Sequence, residues 1–169
     1  KALAVPGVLS VLGVPSGRAV LASGPSAPTR RPNALACRWD EGPAAQLDSK
    51  TISRQHHARA AMAGALARND GDALGAIAGA AKSLESTYEA PLLAHATMEP
   101  MNCVADVRPD RCEIWAPHQA PDWARNEVAG ALGMTPEQVT VHTTLLGGGF
   151  GRRFLPEELI EAAQVSRLA

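Results

Sequence analysis

Apolar and polar positions alternate through residues 8–22, VLSVLGVPSGRAVLA, and predict two short strands around a Pro-Ser-Gly turn. GPSAPTRRPNA follows, too rich in proline and polar residues to form an element. LACRWDEGP then reads as a strand that ends at Asp40, with a loop after it. Residues 48–67, DSKTISRQHHARAAMAGALA, have a helical composition but a poor apolar stripe. RNDGDALGAIAGAA carries a better one: Leu74, Ile77, Ala78 and Ala81 stand at i, i+3, i+4 and i+7, and Asp72 is placed to cap the start. SLESTYEAP alternates, with Leu84, Ser86 and Tyr88 on one face, and reads as a strand.

The second half is more sharply patterned. LLAHATMEPMNCVADV reads as continuing into strand, and CEIWAP returns from a hairpin. With Pro109 and Asp110 at the turn, Val107 faces Cys112 and Cys103 faces Ala116. Cys103, Ala105, Val107, Cys112, Ile114 and Ala116 then line one side. APDWARNEVAGALG predicts a helix with Pro121 and Asp122 in its first turn and Gly133 as the stop. TPEQ has the spacing of a capping box, Thr135 with Gln138 three residues on. In QVTVHTTLL the residues Val139, Val141, Thr143 and Leu145 share a face, and this β run delivers the chain into GGGFGRRF. PEELIEAAQVSRLA starts a further helix with Pro156 and two glutamates in its first turn. Strand, hairpin, helix, strand, Gly-rich turn and helix make an α+β chain without internal repeats.

Composition limits the stability of such a fold. The 169 residues suffice for one domain or parts of two. Hydrophobic residues are 46% of the chain but aromatics only 4%, and much of the apolar count is alanine. At about 25 cal/mol per Å² a core of alanine is weakly stabilised. The chain therefore reads as a piece that packs against more protein. Its apolar beginning, KALAVPGVLSVLGV, and its close in a helix point the same way. No complete signal peptide is visible, and no run approaches the ~18 apolar residues of a membrane span. A net charge of −1 gives no case for nucleic acid as a partner. The three cysteines, Cys37, Cys103 and Cys112, fit no zinc spacing. Cys103 and Cys112 share a face without being opposed and read as core thiols.

The segment HTTLLGGGFGRRF carries the chemistry. Glycines after a strand let backbone N–H groups approach an anion. A dinucleotide fingerprint anchored at Gly147 needs glycine where Arg152 stands, and no P-loop lysine follows. The alternative is a tight corner where only glycine fits. Phe150 between glycines and the paired arginines argue for a ligand instead. His56 and His57 read as a solvated face, and His95 and His142 as structural histidines in strands. Glu99, a charge in an apolar segment, calls for a partner, and an ion pair serves as well as catalysis. Gln119 stands between a strand end and a helix, where an amide is either a cap or a ligand contact.

YEAPLLAHATMEPMNCVADV, CEIWAPHQAP and ALGMTPEQVTVHTTLLGGGFGRRF together resemble the molybdenum hydroxylases, the xanthine dehydrogenase and aldehyde oxidase family. The likeness is to the molybdenum-binding large subunit of isoquinoline 1-oxidoreductase type and runs from about Asn69 to Ser166. GVPSGRAVLAS and LACRWDEGP resemble the end of the hammerhead domain that precedes the molybdenum-binding region. The resemblance implies three parts: residues 1–47 from a hammerhead-like domain, 48–82 a helical connection, and 83–169 the first part of the molybdopterin-binding domain.

That family carries molybdenum on a pterin dithiolene, in bacterial members usually as the cytosine dinucleotide form. It hydroxylates an electron-poor carbon of an aldehyde or N-heterocycle with water-derived oxygen. Electrons leave through two 2Fe-2S clusters on a small iron–sulfur subunit, and in some members reach a cytochrome c. By motif, Gln119 matches the glutamine that approaches the molybdenum, and Phe150 and Gly151 match the pair beside the metal. Gly148, Gly149 and Arg152 belong to the same loop, and Arg152 is placed to meet cofactor or substrate charge. Two departures follow. Phe154 falls where xanthine-type enzymes carry a substrate-binding glutamate, which argues against purine recognition of that kind. The family's general-base glutamate sits in a Gly-Glu motif beyond Ala169, so this chain implies an incomplete catalyst with no catalytic residue of its own. A truncated remnant or packing module without cofactor is the alternative.

Overall fold

β1 (Val8–Val14) and β2 (Gly17–Ala22) pair antiparallel, with Val14 opposite Gly17 and only Pro15 and Ser16 between them. This is the hairpin that the apolar runs predict. The computed structural model describes residues 2–24, 38 and 40–169. The chain separates into two units, Lys1–Arg38 with His95–Ala169, and Trp39–Ala94. Of the strand expected in LACRWDEGP, residues 35–37 and 39 lie outside the described residues, as do residues 25–34 of the preceding Pro-rich stretch. Arg38 and Asp40 are in no strand.

The larger unit is built on a three-stranded sheet. β3 (Val104–Val107) pairs antiparallel with β4 (Cys112–Ala116), and β4 pairs parallel with β5 (Val139–Thr143). Val107 lies opposite Cys112, as the turn position requires. A parallel return needs a crossover, and α3 (Pro121–Leu132) supplies it. It opens on Pro121 and ends at Gly133, whose φ of 65° lets its N–H and that of Met134 close onto Ala129 and Gly130 carbonyls. The Thr135 N–H then donates to Gln138 Oε1 at 3.0 Å, the second half of the expected box, although the turn itself is 3₁₀.

α4 (Glu157–Leu168) packs beside α3 on the same face of the sheet and also touches β1. The core lies between them: Cys112, Ile114 and Ala116 of β4, Val128 and Leu132 of α3, and Leu159 of α4. Ile114 and Leu159 are fully enclosed, each stabilising by roughly 1.5–3 kcal/mol. The rest is largely alanine and cysteine, so this core is small. Cys103 and Cys112 are free thiols on the core face, and Cys37 lies outside the described residues. On the opposite face, Trp115 stacks on His142 with ring centres 5.0 Å apart.

The smaller unit holds α1 (Ser49–Ala60) and α2 (Ala73–Ala78), shorter than the patterns suggest. Asp48 accepts from the Thr51 N–H at 2.6 Å, and Asp72 caps α2 through the Gly75 N–H at 2.9 Å. Neither helix has a buried residue, which explains why they stop early: no apolar face is covered. The Glu89 carboxylate joins α1 by accepting from Ser53 Oγ and facing His57 Nε2 at 3.1 Å.

Three strand expectations fail for one reason. SLESTYEAP, residues 92–103 of LLAHATMEPMNCVADV, and the end of QVTVHTTLL belong to no strand. Leu84, Tyr88 and Leu145 are almost wholly exposed. Alternation records a two-faced segment, whereas a strand also needs a partner edge, and no described strand offers one. His95 accordingly lies outside any strand, while His142 is in β5.

Candidate cofactor-binding loop

β5 delivers the chain to Thr144, whose N–H donates to the Ala116 carbonyl at 3.2 Å. Residues 147–151 then fold back along residues 95–99. The Glu99 N–H donates to the Gly147 carbonyl at 3.2 Å, and the Gly147 N–H donates to Glu99 Oε2 at 2.9 Å. Thr97 lies over Gly148 and His95 over Gly151.

Each glycine meets a different demand. A Cβ at Gly147 would collide with the Glu99 side chain, and one at Gly149 would sit 2.5 Å from Gln119 Oε1. Gly148 and Gly151 have φ of 96° and 97°, where any other residue is strained. Phe150 accepts that strain, with φ of 52°. A bulky residue so held costs on the order of 1–3 kcal/mol. The residue is 75% exposed, so burial in this chain does not offset the cost. Among the described residues none supplies an acceptor to the N–H groups of Gly148, Gly149, Phe150 or Gly151.

The two arginines part company. Arg152 pairs with Glu157 at 2.7 Å and lies 3.9 Å from Glu158, both on the first turn of α4. Its charge is thus engaged within the chain. Arg153 is fully buried. Its Nε donates to the Gly148 carbonyl at 2.8 Å, and its Nη2 donates to the Glu99 carbonyl at 2.8 Å and to Glu99 Oε2 at 2.9 Å. Asn102 donates to Glu99 Oε1 at 3.0 Å. The Gly147 N–H, then Asn102 and Arg153, hold the Glu99 carboxyl below its ordinary pKa. The partner that Glu99 calls for is therefore Arg153.

Gln119 follows β4 and precedes α3. Its N–H donates to the Arg153 carbonyl at 2.9 Å, and its exposed carboxamide lies over Gly149. The neighbouring His118 is buried; its Nδ1 accepts from the Ala120 N–H at 3.0 Å, which leaves Nε2 as the donor to the Leu155 carbonyl at 3.3 Å. His118 thereby ties the start of α3 to the chain entering α4. Gln119, Gly148, Gly149, Phe150 and Gly151 come together at one edge of the sheet, and Arg152 stands beside them but turned to α4. The pattern did not single out His118 or Arg153. Their signal is weak: one histidine before a helix, and the second of two adjacent arginines.

Among the described residues no group of three or more His, Cys, Asp or Glu is placed to hold a metal ion. No described helix is long and apolar enough to cross a membrane.

The sequence-family model of the molybdopterin cofactor-binding domain matches residues 52–168. The isoquinoline 1-oxidoreductase subunit beta of Brevundimonas diminuta is 39% identical over 80 residues, which is 47% of this chain and 10% of that protein. The aldehyde oxidoreductase molybdenum-binding subunit PaoC of Escherichia coli O157:H7 is 34% identical over 101 residues, 59% of this chain and 14% of that protein. The chain thus spans a small part of the length of these relatives. Quinoline 2-oxidoreductase from Pseudomonas putida 86 superposes on 57% of this chain and 13% of its own, with a TM-score of 0.49 and 23% identity. With the family match covering the sheet, both its helices and the Gly-rich loop, the chain belongs to the molybdopterin-binding subunits of the molybdenum hydroxylase family.

Proposed function

We propose that this chain is part of the large subunit of an oxidoreductase that hydroxylates an aldehyde or N-heterocycle with water-derived oxygen. On this reading residues 1–47 close a hammerhead-like domain, 48–82 connect, and 83–169 begin the cofactor-binding domain. The cofactor is molybdopterin, in the cytosine dinucleotide form. Electrons pass to 2Fe-2S clusters on a small iron–sulfur subunit and onward, as in some members of the family, to a cytochrome c. The remainder of the large subunit completes the site, and the isolated chain is inactive.

One observation carries the reading: four loop N–H groups that find no acceptor among the described residues lie beside the exposed Gln119 carboxamide. The Gly148–Gly151 backbone is bare of Cβ atoms except at Phe150, so an anionic, oxygen-rich group can approach it closely. The donor types suit such a group: backbone N–H groups and the Gln119 carboxamide NH2 can donate to it. When bound, the cofactor supplies the two-electron oxidation and the activated oxygen. The chain's residues bind and shape. Gln119 and the Phe150–Gly151 peptide orient the metal's ligands by hydrogen bonding, and the exposed Phe150 ring excludes water. Arg152 is engaged by Glu157, so its contribution toward cofactor charge requires that pair to open.

Gln119→Ala and Phe150→Ala in the complete subunit test the assignment. Turnover falls while iron content stays unchanged; wild-type rates in both variants defeat it. A complete protein without molybdenum favours the non-catalytic reading instead.

A further inference from the structure

Arg153 is an unusual choice for strength alone. It is fully buried, its Nη1 has no acceptor among the described residues, and its counter-ion Glu99 is partly exposed. A buried charge carries a desolvation penalty that its partner often only just offsets, and apolar replacement of such a pair is often neutral for stability. What the guanidinium supplies is direction. Its fork reaches the Gly148 carbonyl and both the carbonyl and carboxylate of Glu99, while the carboxylate takes the Gly147 N–H. Its own carbonyl takes the Gln119 N–H. One residue therefore fixes the near side of the glycine loop and the backbone of Gln119.

We infer that Arg153 and Glu99 are a positioning pair that sets the separation between Gln119 and the Phe150–Gly151 peptide, holding the loop in cofactor-ready form. The inference rests on the proposed function and adds residues to that site. Arg153 and Glu99 touch no cofactor on this account: they act through the loop. The strained Phe150 needs such a constraint, because nothing else described grips Gly148 from below.

The test is made in the complete subunit with Glu99→Leu/Arg153→Met, which removes both charges, and with Arg153→Lys, which keeps charge but loses the fork. Three quantities are read: molybdenum per chain, kcat per bound molybdenum with KM, and amide exchange of peptides covering residues 147–152 and 117–119. The pair as positioner predicts faster exchange in both peptides and a kcat per molybdenum lowered about 100-fold, as expected for a misplacement near 1 Å, with KM within about twofold. A merely structural pair predicts a changed unfolding midpoint with wild-type kcat per molybdenum. If the double variant fails to fold, Arg153→Lys decides on the same readouts. Wild-type exchange and wild-type kcat in a folded variant overturn the inference. If the wild-type subunit holds no molybdenum, the proposed function fails by itself, and exchange still decides whether the pair fixes the loop.

Discussion

The Gln119 N–H donates to the Arg153 carbonyl at 2.9 Å, so the residue that follows β4 and the residue that follows the glycine loop share a main-chain hydrogen bond. The bond brings the Gln119 carboxamide over Gly149. It also makes an amide donor and a bare backbone one mechanical object.

Gly149→Ala drives the new methyl into Gln119 Oε1, which sits 2.5 Å from the Cβ position. The carboxamide is exposed and swings away, so the fold survives while Gln119 leaves its place. Turnover of the complete enzyme falls roughly 10–100-fold, the range typical of groups that orient a metal's surroundings. Gly130→Ala is the control. Gly130 lies within α3 with open space at its Cβ, so alanine there stabilises by about 0.5–1 kcal/mol and leaves kcat unchanged. Paired thermal and kinetic measurements check both.

The Glu99 carboxyl is held below its ordinary value by the Gly147 N–H, Asn102 and Arg153. A folded pKa below the unfolded one adds stability that is present above the unfolded value and lost as pH falls through the folded one. Acid titration of stability therefore shows a loss that begins near the ordinary glutamate range and continues below it. Glu99→Gln removes that part of the slope. Urea midpoints measured across this acid range, wild type against variant, check the difference; parallel curves contradict it.

Burial pushes the Cys103 thiol up to about 12 and Cys112 up to about 11. Both remain protonated at neutral pH and react slowly. Iodoacetamide labelling followed by peptide mapping shows little modification at either site in the folded protein and rapid modification in urea. Linkage gives the opposite sign to Glu99: stability is full below the ordinary thiol value and is lost as pH rises through about 11 to 12.

Leu159→Ala empties a fully buried position where α4 meets the sheet. With so few large side chains in this core, the loss is about 2–5 kcal/mol, read as a lowered urea midpoint. A change under about 1 kcal/mol contradicts the core described.

Local signals predicted the second half of the fold well. The turn at Pro109 and Asp110 set the register of β3 and β4, and proline and glycine bracketed α3. These are short-range effects that sequence spacing encodes directly. SLESTYEAP misled because alternation is necessary for a strand but a partner edge is not written in the segment itself. In the site, glycine chemistry marked residues 147–151, and the place of Gln119 between a strand end and a helix left cap or ligand contact open, a choice that only the family resemblance made. Glu99 announced its need for a cation, yet pattern could not choose between Arg152 and Arg153. That choice depends on which way the chain turns after Gly151, where φ of 97° sends Arg153 inward and leaves Arg152 to Glu157.

We propose that the loop and Gln119 hold molybdopterin. The direct measurement is the molybdenum content of the complete purified subunit with its partner, by elemental mass spectrometry, for wild type and Gly149→Ala. The wild type is expected to hold near-stoichiometric molybdenum and the variant clearly less after identical dialysis. A wild type free of molybdenum when produced with an active cofactor pathway, or a variant loaded equally well, contradicts it.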